Sequence, residues 1–336
     1  AGSRHVAWAE IEPMARPETD NFGLLVRTGD VTSQQQVELC APCHSRRSEL
    51  GDYDHSTRSL LDSFRPSVLE QHLYHADGQI LDEVYVWGSF LQSKMYHNDV
   101  RCADCHDSHS LELKHEGNAL CAQCHRADVY DTSEHHFHKK IHEGQPSRGA
   151  LCVSCHMPET AYMVIDERAD HSFRVPRPDL SLALGTPTAC SWAGCHADKP
   201  LQWSADAYTD WYGRAAKPHY GTTIAAGREG DPEAVDDLIR LAGDELYPAI
   251  VRATALSLLD QFPGEQSAAA FSTALSDPEG LIRLTAVDHV VATSTEELVE
   301  LVAPLLLDPL LAVRTQAAVV LADAPNAMLK PYQREA

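Results

Sequence analysis

The sequence predicts a mainly α chain in two parts: short helices joined by long loops, then a small solenoid of helical repeats. Three observations predict it. All ten cysteines lie between Cys40 and Cys195, in five pairs, and each pair is followed directly by histidine. The stretch that carries them has little hydrophobic periodicity of either the helical or the strand kind. Beyond Trp211-Tyr212-Gly213 aromatic residues and histidine fade, Ala and Leu dominate, and a Pro–Arg–Ala pattern recurs.

Residues 1–33 form a pattern-poor arm with two prolines and a Gly-Asp turn. Residues 34–224 carry all five cysteine pairs. Gln34 to His44 reads as a helix running into the first of them, and Ile80 to Tyr96 is an apolar, aromatic stretch. Residues 225–336 are the repeats. Pro248, Arg252 and Ala255 are followed by Pro278, Arg283 and Ala286, then by Pro309, Arg314 and Ala317, with the arginines and the alanines 31 residues apart both times. Asp277-Pro278 and Asp308-Pro309 read as helix starts, aspartate as cap and proline in the first turn. Ile250, Ile282 and Val313 supply the apolar stripe. A unit of this kind cannot bury its apolar face alone, so the units stack, and they resemble HEAT repeats. The arginines are expected to bond within the stack. The solenoid is either a cap on the first part or a docking surface.

Asp and Glu total 49 against 27 Lys and Arg, a net charge of -22. Such a field repels nucleic acid and anionic membranes and favours basic or metal-bearing partners. No apolar run approaches the roughly 18 residues of a membrane span.

The cysteine pairs carry the chemistry. Cys40/Cys43/His44, Cys102/Cys105/His106, Cys121/Cys124/His125 and Cys152/Cys155/His156 read C-x-x-C-H, while Cys190/Cys195/His196 has four residues between its cysteines. Two thiols at this spacing form thioethers with the two vinyl groups of one porphyrin. The next histidine is then held beneath the iron as axial ligand. Structural zinc also uses C-x-x-C pairs, but it does not call for histidine directly after each second cysteine. Disulfides would leave the histidines unexplained as well. The expectation is five covalently bound haem c groups.

The stretch from Cys102 to Gly213 resembles a multihaem cytochrome c family with doubled C-x-x-C-H motifs, often fused to helical repeats. The resemblance lies in Cys152-Val153-Ser154-Cys155-His156-Met157-Pro158, in Asp170-His171-Ser172-Phe173-Arg174-Val175-Pro176-Arg177-Pro178-Asp179, and in Trp211-Tyr212-Gly213. It implies a haem-packed electron-transfer domain and names no substrate. The four-residue spacer of the fifth motif departs from the pattern of such relatives.

Each iron has a second axial position. With five motif histidines assigned and His289 in the repeats, thirteen histidines compete for five seats. His109, three residues past His106, cannot reach the far face of the iron that His106 binds, so it serves a neighbour. His97 precedes the second motif, and His171 lies in the family-like run. Among His135, His136, His138 and His142 the choice is His138. His55, His72, His75 and His115 compete for the remaining seat, with His75 preferred. Met157, next to a motif histidine, is badly placed to turn back. His5 belongs either to a disordered terminus or to an arm that ligates a haem of a neighbouring copy, which would build a head-to-tail filament.

These expectations point to electron transfer with redox proteins or extracellular acceptors as partners. The rival is a multihaem oxidoreductase acting on a small nitrogen or sulfur compound at one five-coordinate iron. The fifth motif, with only His219 between it and the repeats, is the expected place for such an iron. Haem attachment to C-x-x-C-H occurs outside the cytoplasmic membrane, so the location is periplasmic or extracellular, with Ala1 following a removed signal peptide.

Overall fold

The computed structural model describes residues 2–27, 31–52, 59–192, 194–213 and 217–335. It is mainly helical, with three two-stranded antiparallel hairpins among the described residues. None of its helices there is long and apolar enough to cross a membrane.

The arm is folded rather than disordered. Its helix α1 (Ser3–Ala9) is held by the chain that follows. The Trp8 indole donates to the Pro17 carbonyl (3.0 Å), Arg16 donates to the carbonyls of Ile11 and Ala9, and its guanidinium lies 4.9 Å from the Trp8 ring centre. The side-chain amide of Asn21 donates to Leu24 and Val26.

Thr32 opens α2 (Ser33–His44) with a reciprocal capping box: its hydroxyl accepts from the Gln35 amide while the Gln35 side chain accepts from the Thr32 amide. The first motif therefore sits on the last turn of a well-started helix. A hairpin follows, β1 (Arg47–Glu49) with β2 (Phe64–Pro66). Then come α3 (Trp87–Phe90), α4 (Cys102–Cys105), α5 (Ala127–Tyr130), α6 (Ser133–His136), α7 (Cys152–His156), α8 (Pro178–Leu184) and α9 (Leu201–Tyr212). From residue 101 to residue 217 the only buried apolar residues, among those described, are Ala150, Pro178, Leu180 and Ala205. The polypeptide exposes 19537 Å², against about 13,600 Å² for a compact chain of its mass. More than a hundred residues thus fold without an apolar core of their own.

The second part stacks helices in pairs. α10 (Tyr220–Arg228) leads to α11 (Val235–Gly243) and α12 (Ala249–Leu258), then α13 (Glu265–Ala274) and α14 (Gly280–His289), then α15 (Thr295–Val302) and α16 (Leu311–Val320), with α17 (Pro331–Arg334) last. α12, α14 and α16 pack side by side as one row, and Ile250, Ile282 and Val313 are buried in it. The Asp-Pro pairs are not caps, as expected, but turns placed just before the helices. Asp277 and Asp308 accept from the amides of Glu279 and Leu310, and the helices start at Gly280 and Leu311.

These aspartates have a second task. Arg252 pairs with Asp277 and Arg283 with Asp308, in each case reaching the turn of the following repeat 25 residues on. Arg283 and Arg314 also donate to the carbonyls of Asp277 and Asp308 at their own turns. The arginines do bond within the stack, and they set its spacing.

The expected boundary at 224/225 falls inside α10. One buried apolar cluster runs from Val37 to Leu321, because residues 60–96 lie on the α12–α14–α16 row. Leu69 donates its amide to the Thr254 hydroxyl (3.0 Å), and Leu311 donates to Asp62 (3.1 Å). Arg65 pairs with Asp288 and reaches Gln316. Arg228 donates to the carbonyls of Leu69 and Tyr74. Val84, Trp87 and Phe90 of the apolar, aromatic stretch Ile80 to Tyr96 are buried in this protein core. Of the two roles expected for the repeats, their inner row serves as a brace for the first part.

Candidate functional site

The motifs repeat one local geometry. His106 donates its amide to the Cys102 carbonyl (3.0 Å) and His125 to that of Cys121 (2.9 Å). In the fifth motif His196 still donates to Cys190 (3.0 Å), despite the longer spacer. Gly194, at φ +85°, supplies a left-handed turn within the spacer.

No disulfide joins the ten thiols. The motifs lie in space in chain order. The Cys40 and Cys102 thiols are in hydrogen-bonding contact, which lowers Cys40 to about 7 and raises Cys102. Cys121 and Cys152 are likewise in contact, and Cys152 falls to about 7. Cys105 lies close enough to Cys124, and Cys155 to Cys190 and Cys195, for their charges to act on each other, although burial is the larger influence on both.

The two thiols of the first motif, Cys40 and Cys43, differ in exposure. Cys43 is an exposed, free thiol, whereas its partner Cys40 is half-buried against the second motif. The cause lies in α2, where the intervening Ala41 and Pro42 are buried in the protein and the last turn carries Cys43 and His44 outward. Cys124 is the other exposed thiol, and the remaining eight are half-buried. A group held by Cys40 and Cys43 therefore has its Cys43 edge toward solvent.

Histidines from distant segments face the motif histidines. His171 faces His106 with 6.3 Å between ring centres, His135 faces His156 at 6.3 Å, and His138 faces His196 at 6.1 Å. A metal–nitrogen bond of about 2 Å on each side, plus about 1 Å from nitrogen to ring centre, sets two trans imidazoles roughly 6 Å apart. These pairs have the spacing of imidazoles that share one metal ion. The cluster from which His138 was chosen supplies two partners, because His135 and His138 point to different motifs. His138 also removes the reason to expect the open iron at the fifth motif.

Backbone carbonyls orient the rings. Nδ1 of His156 bonds the Arg174 carbonyl (2.8 Å), that of His171 the Ala169 carbonyl (2.9 Å), that of His5 the Phe22 carbonyl (2.9 Å), and that of His138 the His136 carbonyl. A carbonyl only accepts, so Nδ1 carries the proton and Nε2 presents its lone pair, the tautomer a metal takes. Burial lowers the pKa of His156 and His171, which favours the neutral form of both.

The residues of the family-like run explain themselves here. Asp170, 2% exposed, accepts from the Ser172 amide and from Arg174, and Arg174 also donates to the Asp77 carbonyl. This turn presents His171 to His106 and the Arg174 carbonyl to His156. Trp211 stacks on Phe137 at 4.8 Å and edges onto His138, Tyr212 donates to the His135 carbonyl, and Trp203 lies 4.6 Å from the His196 ring. α9 thus holds the partners of two motifs.

Other candidates are placed differently. His97, His72, His115 and His142 are exposed. His75 lies among Asp77, Arg228 and Arg174, with burial lowering its pKa. His109 faces His5. His219 is a helix cap, its Nδ1 accepting from the Gly221 amide at 3.0 Å. His55 lies outside the described residues. Among the described residues no histidine faces His44 or His125 at the pair spacing, and His125 meets the Tyr130 ring edge. The carbonyls of Phe22, Ala169 and Arg174 carry no sequence signal, since any residue has one.

The donor set fits the expected group. A haem iron takes two protein ligands, its porphyrin supplying the other four, so its seat is a pair of imidazoles beside two thiols. Among the described residues no three His, Cys, Asp or Glu side chains form a metal cage. No family model matches the chain, and no curated protein matches it.

Proposed function

We propose that this chain is an electron-transfer protein carrying five covalent haem c groups at Cys40/Cys43, Cys102/Cys105, Cys121/Cys124, Cys152/Cys155 and Cys190/Cys195. His44, His106, His125, His156 and His196 are the first axial ligands, with His171, His135 and His138 opposite the second, fourth and fifth. Bound haem supplies a one-electron couple at iron, and two imidazoles hold it low-spin with little ligand change on reduction. The observation that carries the reading is the serial adjacency of the motifs together with facing imidazole pairs. A chain of neighbouring cofactors is a conductor, with the acidic surface suited to basic redox partners. The exposed thiols Cys43 and Cys124 make the first and third haems the ones most open to such a partner. The HEAT-like repeats brace the array. Its place is the periplasm or the cell exterior, where such haems are attached. The proposal does not extend to a head-to-tail filament, because His5 faces His109 of its own chain.

A second reading has one observation in its favour. His125 meets a phenol edge rather than an imidazole, so an oxidoreductase acting on a small nitrogen or sulfur compound would have its five-coordinate iron at the third motif or at the first, whose His44 also has no facing histidine among the described residues.

One experiment tests both. Intact mass and a pyridine haemochrome assay count the haems, and low-temperature EPR of the oxidised protein reports the spin states. Five covalent haems with low-spin signals alone support electron transfer. A stoichiometric high-spin signal that shifts with nitrite or hydroxylamine moves the assignment to the enzyme, and fewer than five haems removes the motif reading.

A further inference from the structure

Neither member of one facing imidazole pair belongs to a cysteine motif. His5 in α1 and His109 in the loop after α4 lie 6.2 Å apart between ring centres, with 35° between their planes. The three pairs that contain a motif histidine stand at 6.1 to 6.3 Å. His109 has no role toward the His106 iron, since His171 already faces that ring.

Both histidines are held in place. The Phe22 carbonyl takes the His5 Nδ1 proton and leaves Nε2 free. Trp8 stacks on His5 at 5.8 Å and is itself packed on Phe22 at 5.3 Å. Gly23, at φ +78°, brings its backbone so close to Arg4 and His5 that a Cβ would stand 3.0 Å from the Arg4 carbonyl group. Only glycine lets the arm close on His5 this way. On the opposite side the Asp107 carboxylate accepts from the amides of His109 (2.8 Å) and Ser110 (2.9 Å), fixing the turn that carries the second ring. Apolar side chains that ordinary folding would bury stay exposed on both segments: Val6 and Phe22 on the arm, Leu111 and Leu113 after His109.

We propose that His5 and His109 are the two axial ligands of a sixth haem iron, one attached to none of the ten cysteines. The inference rests on the haem reading of the motifs. The arm is a strap that brings the second ligand, and the exposed apolar side chains of the two segments cover the porphyrin. Two sources share this chemistry: a haem held by ligation and contact alone, and a haem carried on cysteines outside these 336 residues.

The test titrates haemin into the purified protein bearing its covalent haems, following the Soret band and the low-spin EPR signals. The expected result is uptake of one equivalent as a low-spin species. It is lost in His5→Ala and in His109→Ala, and free imidazole restores it in His5→Gly. Intact mass shows whether each variant keeps its covalent haems, so a defect in the motif reading registers separately. A sixth haem already present on isolation supports the proposal if its low-spin signal needs His5, and extraction into acidified butanone then tells ligated haem from covalently carried haem. Uptake indifferent to both histidines overturns the proposal. So does a protein that takes no haemin and carries no sixth haem, or one whose His5–His109 pair saturates with zinc and leaves haemin unbound.

Discussion

Two residues show how much a single backbone or ring position decides. Gly194 adopts φ +85° and so keeps the His196 amide on the Cys190 carbonyl across a longer spacer. A β-branched side chain there costs about 1–3 kcal/mol of local strain. Gly194→Val is therefore expected to lower loading of the proposed fifth haem, read as a four-haem population in the intact mass; full loading would show that the left-handed turn is unnecessary. His219 caps α10 through Nδ1, and burial, opposed by Asp77 and Asp179 and aided by Arg174 and Arg177, lowers its pKa to about 4. The folded protein then stays neutral where the unfolded chain takes up a proton, so this contribution is complete above about pH 6.5 and fades as pH falls toward 4. His219→Asn keeps an accepting cap without the titration. Its thermal midpoint, relative to the parent, is expected to gain between pH 7.5 and 4.5, and parallel pH profiles would refute the cap.

Between repeats the arginine–aspartate ladder sets the rise of the stack. Arg283 and Asp308 are both nearly buried, at 12% and 3% side-chain exposure, so removing either leaves an uncompensated charge. Arg283→Met and Asp308→Ala are each expected to cost roughly 3–5 kcal/mol, and the double variant well under the sum. Denaturant midpoints measure the cycle. Additive losses would mean the two side chains act separately. Arg314 donates to a carbonyl of its own turn.

Across the whole molecule the repeats and the first part share a core. Gly88 shows how close they come: a Cβ there would meet the Tyr74 hydroxyl at 2.3 Å and Ile250 at 3.3 Å. Heating is therefore expected to unfold the chain in one transition, with the Soret band and the far-ultraviolet helix signal moving together. Two separated transitions would show that the repeats fold as an independent domain. Gly88→Ala is expected to lower that midpoint by overpacking the contact, at about 1–3 kcal/mol.

The mainly helical class, the ten cysteines with their five histidines, and the 31-residue repeat with its bonding arginines were legible in the sequence. Each is a local pattern, carried by residues close along the chain or by strict periodicity. Which histidine faces which motif was not legible. His135 and His138 are separated by two residues yet meet rings 21 and 58 positions further on, and His5 reaches across 104 positions to His109. Nor could the sequence tell Cys43 from Cys40, since the motif is the same for both and only the packing of α2 leaves one exposed. It could not show either that Asp277 and Asp308 are turns rather than caps, or that residues 60–96 cover the inner row of the stack. Those facts depend on carbonyls and packed surfaces brought together from far apart, and a backbone carbonyl is the same group at every residue until the fold aims it.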